Sequence, residues 1–333
     1  MSRPLVSICA TVYNNKSRVR ASLNSVINQF PDFSKNFEFV IVDNFSDDGT
    51  YEILKEFASK YKNIRVYRAY CTRGKGRDIA LKKANGEYIF YVDLDTIYYP
   101  TLSKLVYGSL SKYKKWTDSG IITSVIKRST LVSLGGWKDL QTSEDTELSA
   151  RAIKQGIKFL SVPVKVGENE AVKKEKFRIE RYSKSVYKKF KLLLKIAEDT
   201  IRGNGINRVD EIRARKVWYT LAFKLIYLKL KLQRKEIYRY CKRYNNSKYI
   251  ALNMHFVSPV LFNIPKKFWI YSMFINPDND PNYKEKISLL RSFGFDRIKY
   301  TNTGFIILYN HGADSKILHN ELKFLNELRI TIV

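Results

Sequence analysis

The sequence has little cysteine, and the cysteines it has are scattered. Cys9, Cys71 and Cys241 are odd in number, lie far apart and form no CxxC pair. A disulfide framework needs paired cysteines, and a zinc site needs ligands at short fixed spacings, so the sequence indicates neither. We therefore expect a chain that folds in a reducing compartment.

Long hydrophobic runs are missing as well. The most apolar stretch covers residues 217–230 and is interrupted by Lys224 and Lys229, whereas a membrane-spanning helix needs roughly 20 apolar residues. The opening residues, MSRPLVSICATVYNN, show no signal-peptide pattern. We expect no transmembrane helix, no secretion and a cytoplasmic location.

The sequence does contain enough apolar residues for a sizeable core. Hydrophobic residues make up 44% and aromatic residues 14% of the 333 residues, which excludes a disordered chain and predicts about two domains. Lys and Arg number 60 against 32 Asp and Glu, a net charge of +28. The excess is local, because residues 1–150 carry +6 and residues 171–250 carry +17. Such an excess indicates an anionic partner: nucleic acid, a membrane surface or a phosphorylated ligand.

Apolar runs of strand length alternate with helical patterns four times in the first half. This alternation predicts an α/β fold, with a mostly parallel sheet and helices on both faces. We predict three parts: an α/β domain at 1–165, a basic helical segment at 166–249 and a small α+β unit at 250–333. The helical segment should include one long helix from Val209 to Tyr244. The predicted strands of the first part are Leu5–Val12, Phe37–Val42, Ile64–Tyr67 and Tyr88–Val92.

Ligands of open parallel sheets bind beyond the carboxyl ends of the strands, where loops and helix N-termini meet. A polar cluster follows the carboxyl end of each predicted strand. Together the four clusters have the composition expected of a site for a nucleotide with a metal-bound diphosphate. They are Thr11-Val12-Tyr13-Asn14, Asp43-Asn44-Phe45-Ser46-Asp47-Asp48, Arg73-Gly74-Lys75-Gly76-Arg77 and Asp93-Leu94-Asp95.

Each cluster has a functional and a simpler interpretation. Asp93 and Asp95 are two residues apart, so in extended chain both carboxylates face one side and can bind Mg²⁺ or Mn²⁺; the alternative is a solvated turn. Asp43 can accept a hydrogen bond from a ribose hydroxyl or a base N–H, whereas its acidic neighbours suit an Asx turn or a helix cap. Arg73 and Arg77 open a helix and can contact phosphate, or they are solvated surface residues.

Two further observations limit the chemistry. The Gly74–Arg77 region is neither a P-loop nor a dinucleotide fingerprint, since Ile79 stands where a third glycine is required. Glu144 and Asp145 begin a helical pattern that Thr142 or Ser143 can cap, with an acidic first turn that suits the helix dipole. The functional alternative for this acidic pair is a general base.

Taken together, these motifs resemble the GT-A glycosyltransferases of family 2. The resemblance covers about residues 4–163 and rests on Val6–Asn14, Val40–Thr50, Gly74–Ala84 leading into Asp93-Leu94-Asp95, and Gly135-Gly136-Trp137 followed by Glu144-Asp145. It implies a nucleotide-sugar donor, a divalent cation (Mg²⁺ or Mn²⁺) and transfer with inversion. Three departures stand out: Asn44 and Asp78 replace residues common in the family, no QxxRW motif of processive synthases follows Asp145, and only 48 residues separate Asp95 from Glu144.

The resemblance also implies a role for each site residue. The nucleoside would be held by Thr11, Val12, Tyr13, Asn14 and Asp43. Arg73 and Arg77 would lie near the diphosphate. Asp95 would coordinate the metal, and Asp93 would touch ribose or metal-bound water. Asp145, the second acid of the pair with Glu144, would be the base.

The basic helices suggest where such an enzyme works. Trp218, Leu221, Leu225, Leu228 and Leu232 repeat at helical spacing among many lysines. They either pack on the sheet or form an interfacial helix on an anionic membrane, which would suit a lipid-phosphate acceptor; glycan and protein acceptors are also open. No nucleic-acid-binding module is visible. The alternative functions are a sugar-phosphate nucleotidyltransferase and a non-catalytic anion- or membrane-binding protein.

Overall fold

A computed structural model describes most of the chain. The described residues are 4–112, 114, 120–122, 125–169, 186–205, 217–241, 245–274, 282–302 and 305–327. Within them the strands are β1 Val6–Val12, β2 Phe37–Asp43, β3 Ile64–Arg68, β4 Tyr88–Tyr91, β5 Ile97–Tyr98, β6 Gly120–Ile122, β7 Val125–Lys127, β8 Lys158–Ser161, β9 Gly167–Glu168, β10 Met254–Phe256, β11 Ile270–Phe274, β12 Arg297–Tyr300 and β13 Phe305–Tyr309.

The described helices alternate with these strands through the first half of the chain. They are α1 Lys16–Ile27, α2 Phe33–Asn36, α3 Thr50–Lys60, α4 Arg73–Lys83, α5 Thr101–Leu110, α6 Arg128–Ser133, α7 Glu144–Lys154, α8 Val186–Asn204, α9 Val217–Leu232, α10 Asn246–Asn253, α11 Tyr283–Ser292 and α12 Ser315–Glu327. Two short 3₁₀ helices cover Pro259–Phe262 and Lys266–Phe268.

A large sheet organises the molecule. Its strand order is β10-β8-β6-β7-β4-β1-β2-β3, and every neighbouring pair is parallel except the two that involve β7. Successive residues of β2 pack on opposite faces: Phe39 and Ile41 belong to a buried cluster that includes residues of α1 and α3, while Val40 and Val42 belong to one that includes residues of α4 and α7. Strands buried on both faces are mostly apolar, which is why most residues of β1 and β2 are hydrophobic. The predicted α/β fold is confirmed.

The second half departs from the predicted helical organisation. The predicted helix from Val209 to Tyr244 begins outside the described residues, and its predicted end is wrong because α9 stops at Leu232. The chain turns at Arg234, whose φ is +52°, and the Lys235 N–H donates to the Leu230 carbonyl. The chain then runs back along α8, where the Tyr238 N–H donates to the Arg202 carbonyl.

The C-terminal residues contribute to two sheets. β11, β13 and β12 form an antiparallel sheet, which α11 and α12 accompany in an α+β arrangement. β10, however, pairs with β8 in the large sheet, so part of the predicted unit at 250–333 completes the first one. The division into three units remains a prediction. No helix in the described part of the chain is long and apolar enough to cross a membrane.

Candidate active site

A cavity of about 440 Å³ lies next to the loop that follows β4. One part of its wall is apolar and includes residues of β4, α5 and β7. The other part brings together polar and aromatic side chains from four separate segments of the chain. These are Arg77, Asp93, Tyr98, Trp137 and Asp145.

Arg77 connects three walls of this site. Its guanidinium is largely buried, with Nη2 3.2 Å from Asp93 Oδ1 and Nη1 3.1 Å from Glu144 Oε1. The Arg77 Cζ also lies 4.8 Å from the centre of the Trp137 ring. A cation on an aromatic face gains electrostatic energy beyond its packing. Arg77 is therefore held in a fixed position between the two predicted acidic clusters.

The acidic pair divides between the protein interior and the cavity. Glu144 is 1% exposed, and neither carboxylate oxygen has a hydrogen-bond partner among the described residues. Its charge is balanced by Arg77 and by Arg73, whose Nη1 is 3.6 Å from Oε1. Burial is the largest influence on Glu144 and raises its pKa, while the two arginines act in the opposite direction. Asp145 is exposed and lines the cavity.

This division separates the two residues that the sequence could only treat as a pair. Asp145 can reach a ligand in the cavity, whereas Glu144 lies under the arginines. The capping expectation is confirmed only in position: Ser143 precedes α7, but its φ is +59° and its side chain makes no capping hydrogen bond.

The first turn of α4 is joined to the loop before α7. The Gly74 N–H donates to the Leu140 carbonyl, and Thr72, the N-cap, accepts from the Lys75 N–H and donates to Asp139. These contacts use backbone N–H groups that the sequence offered as phosphate donors. The Gly74 and Lys75 N–H groups are therefore occupied, so the predicted phosphate contact of α4 depends on the side chains of Arg73 and Arg77.

We expect Gly74→Ala to destabilise the protein through this junction. A Cβ at Gly74 would overlap the Lys138 carbonyl oxygen, which is backbone and cannot move independently. Overpacking of this kind costs about 2–3 kcal/mol, which urea unfolding would measure. Gly312→Ala is the control, since its nearest contact is a side-chain atom at 3.2 Å. Equal stability of the two variants would contradict the close approach.

Asp93 and Asp95 lie in a turn instead of the extended chain that the sequence analysis assumed. The Thr96 N–H donates to the Asp93 carbonyl, which closes the turn. Leu94 is 2% exposed and enters the core, whereas the Asp93 side chain is 54% exposed. The buried leucine between the two aspartates anchors the turn and leaves Asp93 exposed and Asp95 partly exposed.

Three side chains that sequence reasoning missed hold this turn. Asn15 Nδ2 donates to the Leu94 carbonyl at 2.7 Å. The Asp93 N–H donates to the Tyr98 hydroxyl at 2.8 Å, and burial raises the pKa of Tyr98. Asn169 Nδ2 donates to Asp95 Oδ1 at 2.8 Å. Tyr98 was detectable because it closely follows the acidic pair, but nothing in the sequence pointed to Asn169.

The donor set at this turn fits a divalent cation. Asp93 and Asp95 offer hard carboxylate oxygens, which Mg²⁺ and Mn²⁺ prefer. No group of three or more His, Cys, Asp or Glu that could hold a metal occurs among the described residues. A cation here would complete its coordination with phosphate oxygens and water, as Mg²⁺ commonly does.

Asp43 lies at the end of β2, as predicted, but its carboxylate is occupied. It is fully buried and accepts from the Ser46 N–H at 3.1 Å and from Arg68 Nε at 2.9 Å. The Arg68 guanidinium lies over the Tyr51 and Phe45 rings, 4.1 and 4.7 Å from their centres. Asp43 therefore holds the loop after β2 together, and its contact with a nucleoside stays a prediction.

The residues that follow β1 also hold loops in place. Thr11 packs so closely under Gly76 that a Cβ there would overlap its side chain. The Asn14 N–H donates to Ser46 Oγ at 2.9 Å, and its side chain exchanges hydrogen bonds with Asp47. Val12 is buried, whereas Tyr13 is half-buried beside it. The structure thus brings the ends of β1 and β2 together on one rim.

The basic helical segment contacts the loop that precedes α7. Asp199 on α8 is fully buried and its Oδ2 accepts from the Gln141 N–H at 2.8 Å. Gly203 packs against Ser143, where a Cβ would meet the Ser143 carbonyl oxygen 2.6 Å away. Both contacts fix the loop that leads into Glu144 and Asp145.

A second contact joins residues 235–241, the stretch that runs back along α8, to α7. The Tyr240 hydroxyl donates to Glu147, and Glu147 accepts from Arg151 Nε at 2.8 Å. Arg151 Nη2 in turn donates to the Gly136 carbonyl at 2.8 Å, next to Trp137. Sequence reasoning missed this network because its members lie up to about 100 residues apart in the chain.

Fold and site together define a class of protein. It is an α/β protein whose candidate site, at the carboxyl ends of the strands, combines an acidic turn, a buried arginine and an exposed carboxylate. The family model of "Glycosyl transferase family 2" matches residues 7–178, just over half of the chain. The chain belongs to this family, which confirms the resemblance seen in its motifs.

Individual relatives match only part of their own length. The Haloferax volcanii glycosyltransferase AglE is 28% identical over 36% of this chain and 35% of its own. A poly(ribitol-phosphate) beta-glucosyltransferase of Bacillus spizizenii is 37% identical over 27% of this chain and 14% of its own. The chain thus spans about a third or less of the length of these relatives. The structure of S. aureus TarS 1-349 with UDP-GlcNAc aligns over 93% of this chain and 98% of that chain, with 16% identity and a TM-score of 0.45.

Proposed function

We propose that this protein transfers a sugar from a nucleoside-diphosphate sugar to an acceptor hydroxyl, with inversion and with a divalent cation. The observation that carries the proposal is the division of the acidic pair: Asp145 lines the same cavity as Asp93, while Glu144 is buried beside Arg77. Family membership favours this function over the nucleotidyltransferase and the non-catalytic alternatives.

The proposed reaction is a displacement at the anomeric carbon of the donor sugar. The acceptor oxygen forms a bond to the anomeric carbon as its proton passes to the Asp145 carboxylate. The bond from the anomeric carbon to the diphosphate oxygen breaks, and the nucleoside diphosphate leaves with the electron pair. Attack from the side opposite the leaving group inverts the anomeric configuration.

The remaining residues are proposed to bind the donor. Arg77 and Arg73 would neutralise the diphosphate, and Asp93 and Asp95 would hold the cation. A bound Mg²⁺ or Mn²⁺ would supply positive charge to the leaving diphosphate. The residues at 11–14 with Asp43 would surround the nucleoside. The acceptor, whether a glycan, a protein or a lipid phosphate, stays a proposal, and so does the cytoplasmic location.

The direct test is donor turnover. The full chain would be incubated with a panel of nucleoside-diphosphate sugars and Mn²⁺ or Mg²⁺, with and without lipid-phosphate acceptors, and nucleoside diphosphate release would be followed. We expect release with one donor class and its loss on chelation with EDTA. Release of pyrophosphate from a nucleoside triphosphate, or no donor binding in the presence of metal, would contradict the proposal.

A further inference from the structure

An exposed apolar face runs along α9. Leu225, Leu228 and Leu232 are 67%, 53% and 76% exposed, and their spacing of three and four residues places them on one side of the helix. We call these three residues the leucine face. The opposite side of α9 is the packed one, since Leu230 is buried in a cluster with Ile201 of α8. The predicted apolar stripe therefore turns its described end to solvent instead of packing on the sheet.

Lysines border the leucine face on both sides. At 100° per residue, Lys224 and Lys231 lie along one edge of the face and Lys229 along the other. All three are exposed, and Lys229 also pairs with Glu198 of α8. A lysine places its apolar stem along a hydrophobic surface while its ammonium stays in a polar layer. An apolar strip with basic edges is the arrangement of a helix that lies in a membrane interface.

The surrounding charge has the sign that such a surface needs. Residues 171–250 carry a net charge of +17. Two of the acidic residues in this range, Glu198 and Asp199, are buried in ion pairs and present no carboxylate to solvent. A basic surface near an anionic bilayer gains about 1 kcal/mol per lysine or arginine.

We propose that the leucine face docks on a bilayer that contains anionic phospholipid, with the leucines below the headgroups and Lys224 and Lys231 at the phosphates. A second copy of this chain fits the face less well. Two leucine faces in contact would bring Lys224, Lys229 and Lys231 of each copy close to those of the other, and like charges at an interface are repulsive. An anionic bilayer instead neutralises them.

The docked helix would also hold the proposed active site near the membrane. α9 packs on α8, and Asp199 and Gly203 of α8 contact the loop that leads to Asp145. One helix therefore separates the leucine face from that loop. This inference goes beyond the proposed sugar transfer, because it concerns attachment and would hold for any acceptor.

Vesicle sedimentation of the full chain tests the proposal. We expect binding to phosphatidylcholine vesicles that contain phosphatidylglycerol, little binding to phosphatidylcholine alone, and weaker binding as salt rises, because salt screens the attraction. Replacing the leucine face by L225S/L228S/L232S should lower vesicle affinity about a hundredfold. K224Q/K231Q should lower it about tenfold.

Matched variants distinguish binding through the leucine face from nonspecific binding through exposed apolar or basic residues elsewhere. Val260 is 58% exposed on a different element, so Val260→Ser should leave vesicle binding unchanged. K299Q/K323Q removes two exposed lysines elsewhere and should change binding by less than K224Q/K231Q does. All variants alter exposed side chains, so their circular dichroism melting curves should match that of the parent chain.

Three results would overturn the proposal. One is equal vesicle binding by the parent and the leucine variant. Another is binding that ignores phosphatidylglycerol and salt. The third is a concentration-dependent dimer in analytical ultracentrifugation that the leucine variant abolishes while the parent binds no vesicles, which would assign the face to a second copy. None of these results bears on nucleoside diphosphate release in solution. The proposal of membrane docking and the proposal of sugar transfer can therefore be refuted independently.

Discussion

Asp145→Asn is expected to reduce the turnover number of sugar transfer about a thousandfold while leaving donor affinity nearly unchanged. The amide keeps the shape of the side chain but cannot accept the acceptor proton, and a positioned general base contributes about 10²–10⁴ to a rate. Because Asp145 is exposed, its replacement should leave the buried Glu144 and its arginine partners in place. Single-turnover kinetics and calorimetric titration with the donor would measure the two quantities separately.

A control on the same helix makes the Asp145 result specific. Ser149 also lines the cavity, about one turn further along α7, so Ser149→Ala alters the cavity wall without removing a carboxylate. We expect this variant to keep most of its turnover. If Asp145→Asn instead lost donor binding and turnover together, the carboxylate would belong to the donor or metal site and another group would be the base.

The first half of the chain could be predicted from sequence because its determinants are local. β1 and β2 are buried on both faces, so each consists mostly of apolar residues, and each is followed by polar residues where it meets the rim. The observed bounds of the first four strands differ from the predicted ones by a single residue at one end of each. Periodicity carries this information directly.

Features that depend on tertiary contacts were not predictable in the same way. Asp43 reads as an open rim carboxylate until Arg68, 25 residues later, is seen to donate to it. The turn at Asp93 requires the partners Asn15 and Asn169, which come from opposite ends of the first 170 residues. Glu144 is buried and Asp145 is exposed because the arginines of α4 cover only Glu144. The sequence does not show which of two adjacent acidic residues a distant helix will cover.

The second half of the chain acquires a role that its composition alone did not suggest. Its basic charge led to the hypothesis of an anionic partner, but two of its side chains contact the first half instead: Asp199 holds the loop before α7, and the Tyr240 hydroxyl donates to Glu147 within α7. We expect a chain truncated before α8 to lose the packing of that loop. The basic segment is thus both a support for the candidate active site and the carrier of the leucine face.

Arg77→Met is expected to destabilise the protein by about 3 kcal/mol, because it leaves Glu144 buried beside only the more distant Arg73. Removing one partner of a buried ion pair strands the other charge in a low-dielectric environment. Glu144→Gln should lower the free energy of unfolding by less, since Arg77 still has Asp93 as an ion-pair partner at 3.2 Å. The double variant Arg77→Met/Glu144→Gln should recover most of the lost stability, because no charge is then stranded. Urea unfolding of the four proteins completes the cycle.

The pH dependence of unfolding identifies Glu144 as the source of that loss. Burial already raises its pKa, and Arg77→Met removes the largest opposing influence, so the pKa of Glu144 rises further. Between the unfolded value of about 4.3 and the raised folded value, the folded state binds the extra proton. The stability of Arg77→Met relative to the parent should therefore fall as pH rises through that interval, and Glu144→Gln should remove this slope. A slope that survives in the double variant would assign the titration to another group.

The same cycle separates the structural role of Arg77 from its proposed role with the donor. The double variant regains stability but still lacks the guanidinium beside Asp93, so its donor affinity and turnover should stay low, by about tenfold or more for a charge-assisted contact to phosphate. Recovery of both stability and turnover would mean that Arg77 serves only to balance Glu144, and the diphosphate contact would then pass to Arg73. Because stability and donor binding are measured on the same four proteins, one set of variants decides whether the buried arginine acts on the fold, on the donor or on both.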